Sequence, residues 1–400
     1  MIDTVLMFFI AAAIIIIGFL ANILFKRTGW PEILFLIFIG ILLGPVLNLF
    51  SRTDIMPFLP FISTFTLLMV LFRGGLELNL SEIGEGGFRS VFQAIAYLAV
   101  GMLLATLFTH FVLGWQLIDG FLLGSMISST GQVVIIPMVK KIGIQDQSAT
   151  LLSIESVIGS IISIAFFFAF LTAKLSGTFD YVSILISISI EFAVGIAVGV
   201  IMALPWLRAL SALKKNELAY IATLGYVLAC YAVSETLMGS GALAVLSFGV
   251  ILGNDKRVLR ALRMRRPSSS FSEVKTYLMR FQTELSFLLR AFFFVSLGLI
   301  FDVSLSGVTT GLSIGIPAVI LLLTARYLTI SASTWRSPMV SEKNIMVGMC
   351  ALGLTPALLS FILLQHDFSN AYLFSLTITN VIIMTNIITS AATFLGRRKK

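Results

Sequence analysis

Apolar residues fall into long runs along this chain, separated by short stretches marked by polar residues, glycine or proline. A helix needs about 20 mostly apolar residues to cross a bilayer. The pattern predicts thirteen such spans: 4–24, 31–50, 56–76, 88–113, 117–139, 149–172, 181–206, 217–237, 241–253, 276–301, 306–330, 344–365 and 370–396. The run at 241–253 is short and would need tilt or extension by its neighbours. Asp3 precedes the first run and Lys26-Arg27 follow it. A cleaved leader carries its positive charge in front, so this run reads as a retained helix. The expected fold is an all-α polytopic membrane protein, a single membrane domain over 1–400.

Composition agrees. Hydrophobic residues make up 58% and charged residues 12%, and the mean hydropathy is +1.03. A soluble domain carries about 25% charged residues. Thirteen spans would take up about 260 residues, which leaves no room for a soluble domain. The formal net charge of +8 would suggest nucleic acid on a soluble protein, but its distribution points elsewhere. One set of loops carries Lys26, Arg27, Arg89, Lys140, Lys141, Arg208, Lys214 and Lys215, then Lys256, Arg257, Arg260, Arg263, Arg265 and Arg266, then Arg336 and Lys343, with Arg397-Arg398-Lys399-Lys400 at the end. The opposite loops carry only Arg52 and Lys174. Positive charge stays inside, so the N-terminus is expected outside a cell membrane and the C-terminus in the cytoplasm. The stretch from Lys256 to Arg266, followed by Pro267, reads as a cytoplasmic linker near anionic lipid. Cys230 and Cys350 lie within apolar runs, with neither disulfide nor metal spacing. No cofactor, nucleic acid or enzymatic constellation is expected.

Two spans are interrupted near their middles. The fifth contains Ser128-Ser129-Thr130-Gly131-Gln132 and then Pro137; the twelfth contains Gly353-Leu354-Thr355-Pro356. A break frees backbone groups that only protein or water can satisfy at membrane depth. If spans one to six repeat as eight to thirteen, both breaks fall on fifth members. The repeats, about 1–172 and 217–396 joined by the helix 181–206, are then inverted. Paired breaks in inverted halves point to a substrate site at the membrane centre.

Ionisable groups inside spans are costly and often functional. Arg73, Glu155, Glu191, Arg290 and Arg326 are the candidates; Glu77, Glu217, Glu235 and Asp302 lie nearer span ends. Arg73 and Arg290 fall on the third members of the two repeats, and Glu155 is the expected partner of one of them, with Arg290 preferred. Such a pair could serve structure or transport. Glu191 has no assigned partner.

In order along the chain, Pro31-Glu32-Ile33 through Gly40-Ile41-Leu42-Leu43-Gly44-Pro45, then Leu71-Phe72-Arg73-Gly74-Gly75-Leu76, resemble helices of the monovalent cation:proton antiporter superfamily, particularly its prokaryotic sodium/proton antiporters. So do Asn216-Glu217-Leu218, Ser240-Gly241-Ala242-Leu243-Ala244-Val245, Gly253-Asn254, and Arg290 through Val295 with Gly298-Leu299. The resemblance implies an elevator-type carrier of a monovalent cation and protons, with crossed broken helices and a homodimer. It also implies Thr-Asp in the fifth helix, where this chain has Thr130-Gly131. The family's sixth helix usually reads Glu-Ser-x-x-Asn-Asp, or has paired aspartates; here Glu155-Ser156 remain, but Gly159-Ser160 stand at the Asn-Asp positions. Some members have glutamate where Arg73 stands, and the twelfth helix often has arginine where Leu352 precedes Gly353.

A hard cation needs oxygen ligands, usually with negative charge. The expected site therefore comprises Thr130, Gly131, Gln132, Glu155, Ser156, Gly159 and Ser160, with the helix break at Gly353, Thr355 and Pro356. The missing aspartate leaves three other readings open: a carrier of a different, anionic solute; a non-transporting sensor or scaffold; and, last, a membrane enzyme.

Overall fold

The protein is described here as a computed structural model, over residues 4–28, 30–50, 59–78, 87–176, 181–212, 218–261, 270–366 and 370–397. Arg52, Lys214, Lys215, Asn216, Glu217, Arg263, Arg265, Arg266, Pro267 and the basic residues from Arg398 onward lie outside the described residues. Among the described residues the fold is helical, with no strand. The chain runs through α1 (Thr4–Thr28), α2 (Glu32–Ile41) with a π-turn (Leu42–Val46), α3 (Leu59–Glu77), α4 (Gly87–Phe111), α5 (Leu117–Ile127) and α6 (Gln132–Ile142). Then come α7 (Asp146–Ser176), α8 (Tyr181–Ala212), α9 (Ala219–Thr236), α10 (Gly241–Gly253), α11 (Asp255–Ala261) and α12 (Ser270–Leu299). It closes with α13 (Leu305–Ser333), a 3-10 turn (Pro338–Glu342), α14 (Lys343–Gly348), α15 (Leu354–Leu364) and α16 (Ala371–Arg397).

Eight helical stretches among the described residues are long and apolar enough to cross a membrane, counting Leu117–Ile142 as one. Four shorter apolar helices, Ala12–Phe25, Glu32–Val46, Gly241–Gly253 and Leu354–Leu364, fall short of that length. The full set of thirteen is thus not established by length and composition. Helix ends follow local chemistry. The Ser240 hydroxyl accepts from the Leu243 N–H at the start of α10, and the Ser304 hydroxyl from the Gly307 N–H at the start of α13. Gly143 closes α6 with φ +66°, a left-handed conformation that glycine adopts freely. Pro45 lies in the π-turn that ends α2, where a proline without an N–H leaves the regular ladder open.

The chain divides into two compact units. The first comprises residues 1–63, 86–170 and 288–400. Within it, α2 meets α12 at glycine. A side chain on Gly40 or on Gly298 would drive into the other helix's backbone, at Val295 and Ile37 respectively. Gly44 lies against the backbone of Leu299. Glycine lets the two backbones approach with no side chain between them, a close approach common in membrane helices. Next to this joint, Arg290 pairs with Glu32 at 2.5 Å, and Asn22 donates to the other oxygen of Glu32 at 2.9 Å. Near the start of α13, Asp302 accepts from the Ser304 N–H at 2.8 Å and from the Tyr372 hydroxyl at 2.7 Å. Hydrogen bonds from Ser304 and Tyr372 hold this carboxyl below the ordinary carboxylate range.

The second unit comprises residues 64–85 and 171–287. It contains a joint of the same make between α3 and α10. Gly75 sits against the backbone of Leu246, Gly249 and Val250; Gly249 lies against Phe72 and Gly75, and Gly253 against Leu76. The correspondence is residue by residue. Val295 and Phe72 each precede the partner glycine by three positions, and Leu299 and Leu76 each follow it by one. An aromatic column supports this unit: Trp206 stacks on Tyr226 at 4.4 Å, Tyr226 on Phe248 at 5.7 Å, and Phe248 meets Phe72 at 5.9 Å.

The joints set a stability test. Gly298→Ala and Gly249→Ala should each lower the thermal midpoint in detergent, since overpacking costs about 1–3 kcal/mol. Gly225→Ala, at a helical position with open space around it, should leave the midpoint unchanged or raise it, by up to about 1 kcal/mol. Melting followed by tryptophan fluorescence reads all three.

Candidate functional site: two broken helices that cross

The fifth span is broken at residues 128–131, between α5 and α6. Pro137 sits inside α6. The twelfth is broken slightly earlier than its Gly-Leu-Thr-Pro sequence suggests. α14 ends at Gly348, and Leu354, Thr355 and Pro356 already form the first turn of α15, where a proline sacrifices no hydrogen bond. Both breaks lie in the first unit, and they touch. The Gly131 N–H donates to the Ala351 carbonyl at 2.8 Å. A Cβ on Gly131 would stand 2.5 Å from the Gly353 Cα, and one on Gly353 2.8 Å from the Gly131 Cα. The crossing is backbone on backbone, and each break needs its glycine for that reason.

Hydroxyls and amides from two other helices satisfy much of the freed backbone. On α7, the Ser163 hydroxyl donates to the Ser125 carbonyl at 2.6 Å, and the Ser160 hydroxyl lies 3.2 Å from the Thr130 carbonyl and 2.8 Å from that of Ser156. On α16, Thr385 accepts from the Leu352 N–H at 3.2 Å, and Thr389 accepts from the Cys350 N–H at 3.2 Å and donates to the Gly348 carbonyl at 3.0 Å. The Asn386 amide donates to the Leu352 carbonyl at 2.9 Å. In contrast, the buried hydroxyls of Ser128, Ser129 and Thr130 have no hydrogen-bond partner among the described residues, and neither does the Asn386 carbonyl oxygen. Three successive buried hydroxyls at the break thus keep their hydrogen-bonding capacity unused among the described residues.

Beside the crossing lies a buried ion pair. Arg326 of α13 is wholly buried, and its Nη1 and Nη2 donate to the two oxygens of Glu155 at 2.5 and 3.3 Å. Its Nε donates to the Met346 carbonyl at 3.1 Å, just before the second break. The Tyr97 ring lies 5.1 Å from the guanidinium carbon. This corrects the expected pairing. Glu155 meets neither Arg73 nor Arg290; Arg290 is held by Glu32, and Arg73 pairs with Glu77 one turn along α3 at 2.7 Å. Glu77 is therefore the pairing partner of Arg73. The glycine joints also place Arg73 and Arg290 out of register, because Arg73 stands two residues before Gly75 and Arg290 eight before Gly298.

The structure gathers Thr130, Gly131, Gly159, Ser160, Gly353 and, through Arg326, Glu155. Gly159 faces the first break with room to spare, since a Cβ there would lie 3.9 Å from the Ser129 Cβ. Gln132 opens α6 half-buried. Ser156 donates to its own helix, at the Ser153 carbonyl, 2.8 Å away. Glu191 stands in the second unit, half-buried, and its carbonyl accepts from the Ser240 N–H at 3.0 Å. Sequence reasoning missed Ser163, Thr385, Asn386, Thr389, Tyr97 and Glu32. The polar positions 385, 386 and 389 within an apolar run were the available signal for the second brace.

Comparison with known proteins follows this geometry. The family model of the transmembrane sodium/hydrogen exchanger matches residues 10–397. No curated protein matches this chain. Its fold is similar to the solved structure of the sodium proton antiporter MjNhaP1 from Methanocaldococcus jannaschii at pH 8, with a TM-score of 0.81 and 18% identity, over 98% of this chain and 100% of that one. An electron-microscopy map of MjNhaP1 matches with a TM-score of 0.73 and 20% identity, over 98% and 95%. The expected superfamily and helical fold are thereby borne out.

The ion pair sets a second stability test. Glu155→Gln leaves a buried guanidinium without its counter-charge and should destabilise the protein by about 3–5 kcal/mol. The double variant Glu155→Leu with Arg326→Met should recover most of that loss. Thermal melting of both variants checks it.

Proposed function

The chain belongs to the sodium/hydrogen exchanger family, and from that premise we propose that it exchanges a monovalent cation for protons at the crossing of its two broken helices. The observation that carries this reading is the row of buried, unpartnered hydroxyls at Ser128, Ser129 and Thr130, next to Ser160 and the Glu155–Arg326 pair. Hydroxyl and carbonyl oxygens replace part of a cation's hydration shell, and Glu155 supplies the negative charge. The crossing also brings together a helix N-terminus and a helix C-terminus from each broken span, so the positive and negative poles offset one another. Thr130, Gly131, Gln132, Ser156, Gly159 and Ser160 form the lining in this reading, and Gly353, Thr355 and Pro356 fix the opposing half-helix.

Inverted repeats over about 1–172 and 217–396 belong to the same proposal. The matching glycine joints, the paired breaks and the paired braces on α7 and α16 support them. The distance along the chain from Gly249 to Gly298 exceeds that from Gly40 to Gly75. The excess coincides with the basic stretch that begins at Lys256, which then reads as an addition to the second repeat. Elevator-type alternating access, a homodimer, and a multi-pass place in the cell membrane with thirteen spans and a cytoplasmic C-terminus complete the reading.

A second reading, transport of an anionic solute, is favoured by one observation. The carboxylate gathered beside the crossing is already neutralised by Arg326.

Purified protein in proteoliposomes with an internal pH dye separates the two. Addition of Na⁺, Li⁺ or K⁺ should drive a pH change, and Thr130→Val and Ser160→Ala should slow it about tenfold, which is about 1.4 kcal/mol. Silence with every cation, followed by a signal in Ser160→Asp, would overturn cation exchange for the native chain and leave the scaffold intact.

A further inference from the structure

One face of α4 carries buried polar atoms that take no part in the braces. Gln93, Tyr97 and Gly101 are spaced by four residues and so share that face. Gln93 is wholly buried; its Nε2 donates to the Thr329 hydroxyl at 3.0 Å, while its Oε1 has no partner among the described residues. Tyr97 is buried beside Arg326; its hydroxyl lies within the field of that guanidinium but makes no hydrogen bond of ordinary geometry among the described residues. One turn further, Gly101 has no side chain, and the Ser128 hydroxyl occupies the space. A Cβ on Gly101 would stand 2.5 Å from that oxygen, which also lacks a partner. On α13, Arg326 and Thr329 face the same row.

A buried polar atom without a partner is costly, and lipid offers no relief. Two of them one turn apart on α4, with the Ser128 hydroxyl of the first break packed against the next turn at Gly101, are an arrangement that bound water satisfies and an apolar core does not. We propose that Gln93, Tyr97 and Ser128 line a file of ordered waters that carries protons between the crossing and the Gly87 end of α4. The file covers two helical turns, about 12 Å at the usual rise. Each water accepts from one neighbour and donates to the next. A proton entering at one end is matched by one leaving at the other, with every O–H bond re-formed and no net charge left inside. The file passes beside the Glu155–Arg326 pair, where protons are needed if the antiport reading above holds; the presence of water does not depend on that reading.

Two measurements on the full-length protein test it. Hydroxyl-radical footprinting with X-ray pulses marks aromatic side chains next to bound water. Tyr97 should be oxidised, while Phe167, which is equally buried, should not; an unmarked Tyr97 overturns the proposal. In proteoliposomes, Tyr97→Phe combined with Gln93→Leu keeps a ring beside Arg326 and removes the two oxygens. It should slow the cation-driven pH change about tenfold, or about 1.4 kcal/mol in barrier. Rates equal to wild type would overturn the proton path. Wild-type protein that moves no protons at all would defeat the antiport reading, and the labelling of Tyr97 would still decide the water file.

Discussion

At membrane depth a peptide group that loses its helical partner has no water to turn to. Much of the first unit can be read as an answer to that constraint at two places. Each break frees N–H and C=O groups, and α7 answers for the first with Ser160 and Ser163, as α16 does for the second with Thr385, Asn386 and Thr389. The breaks also answer for one another through the bond from Gly131 to Ala351. That bond forms because both helices bring glycine to the point of contact. A substitution at Ser163, Thr385, Asn386 or Thr389 therefore acts on the crossing through the backbone it holds.

The same economy appears where intact helices meet. With lipid as apolar as leucine, helices gain little from burying side chains, and close backbone contact becomes the means of association. Gly40 against Gly298 in one unit and Gly249 against Gly75 in the other use the same offsets on both sides of the contact. The charges near these joints do not share that agreement. Arg290 reaches Glu32 on a neighbouring helix, whereas Arg73 is satisfied by Glu77 on its own. Under the proposed duplication, packing geometry has been kept while the electrostatics around it have diverged.

Much of this was legible in the chain and some was not, for definite reasons. Hydrophobic runs report a segment's environment directly, so the helical membrane fold and both interrupted spans could be read from them. Gly353 and Pro356 revealed the second break because their effect is local. Its start four residues before Gly353 depended on Thr385 and Thr389, which act from another helix. Partner choice is a tertiary property. Glu155 could be seen to need a cation, but three arginines in spans offered themselves, and only the fold shows that Arg326 binds it directly, with Tyr97 alongside. The polar face of α4 was invisible for a related reason. Gln93 and Tyr97 are ordinary residues in a membrane helix and become significant only once their own side chains are found buried.

The ion pair bears directly on what the absent aspartate means. A carboxylate at position 131 would have to place its Cβ within 2.5 Å of Gly353. The crossing as built thus excludes that side chain by sterics as well as by sequence. The positions on α7 are different. Gly159 has room for a side chain beside Ser129, and Ser160 already reaches the Thr130 carbonyl. Charge has room on α7 and has none at position 131 unless the helices separate. In the native chain the carboxylate that can serve the crossing is Glu155, and Arg326 holds it with two hydrogen bonds. Any cation drawing on that charge competes with a guanidinium fixed in place, and any proton taken up by Glu155 weakens the same pair. Exchange, on the proposed reading, is therefore decided at Glu155 and Arg326, while the hydroxyls at the break supply coordination without charge.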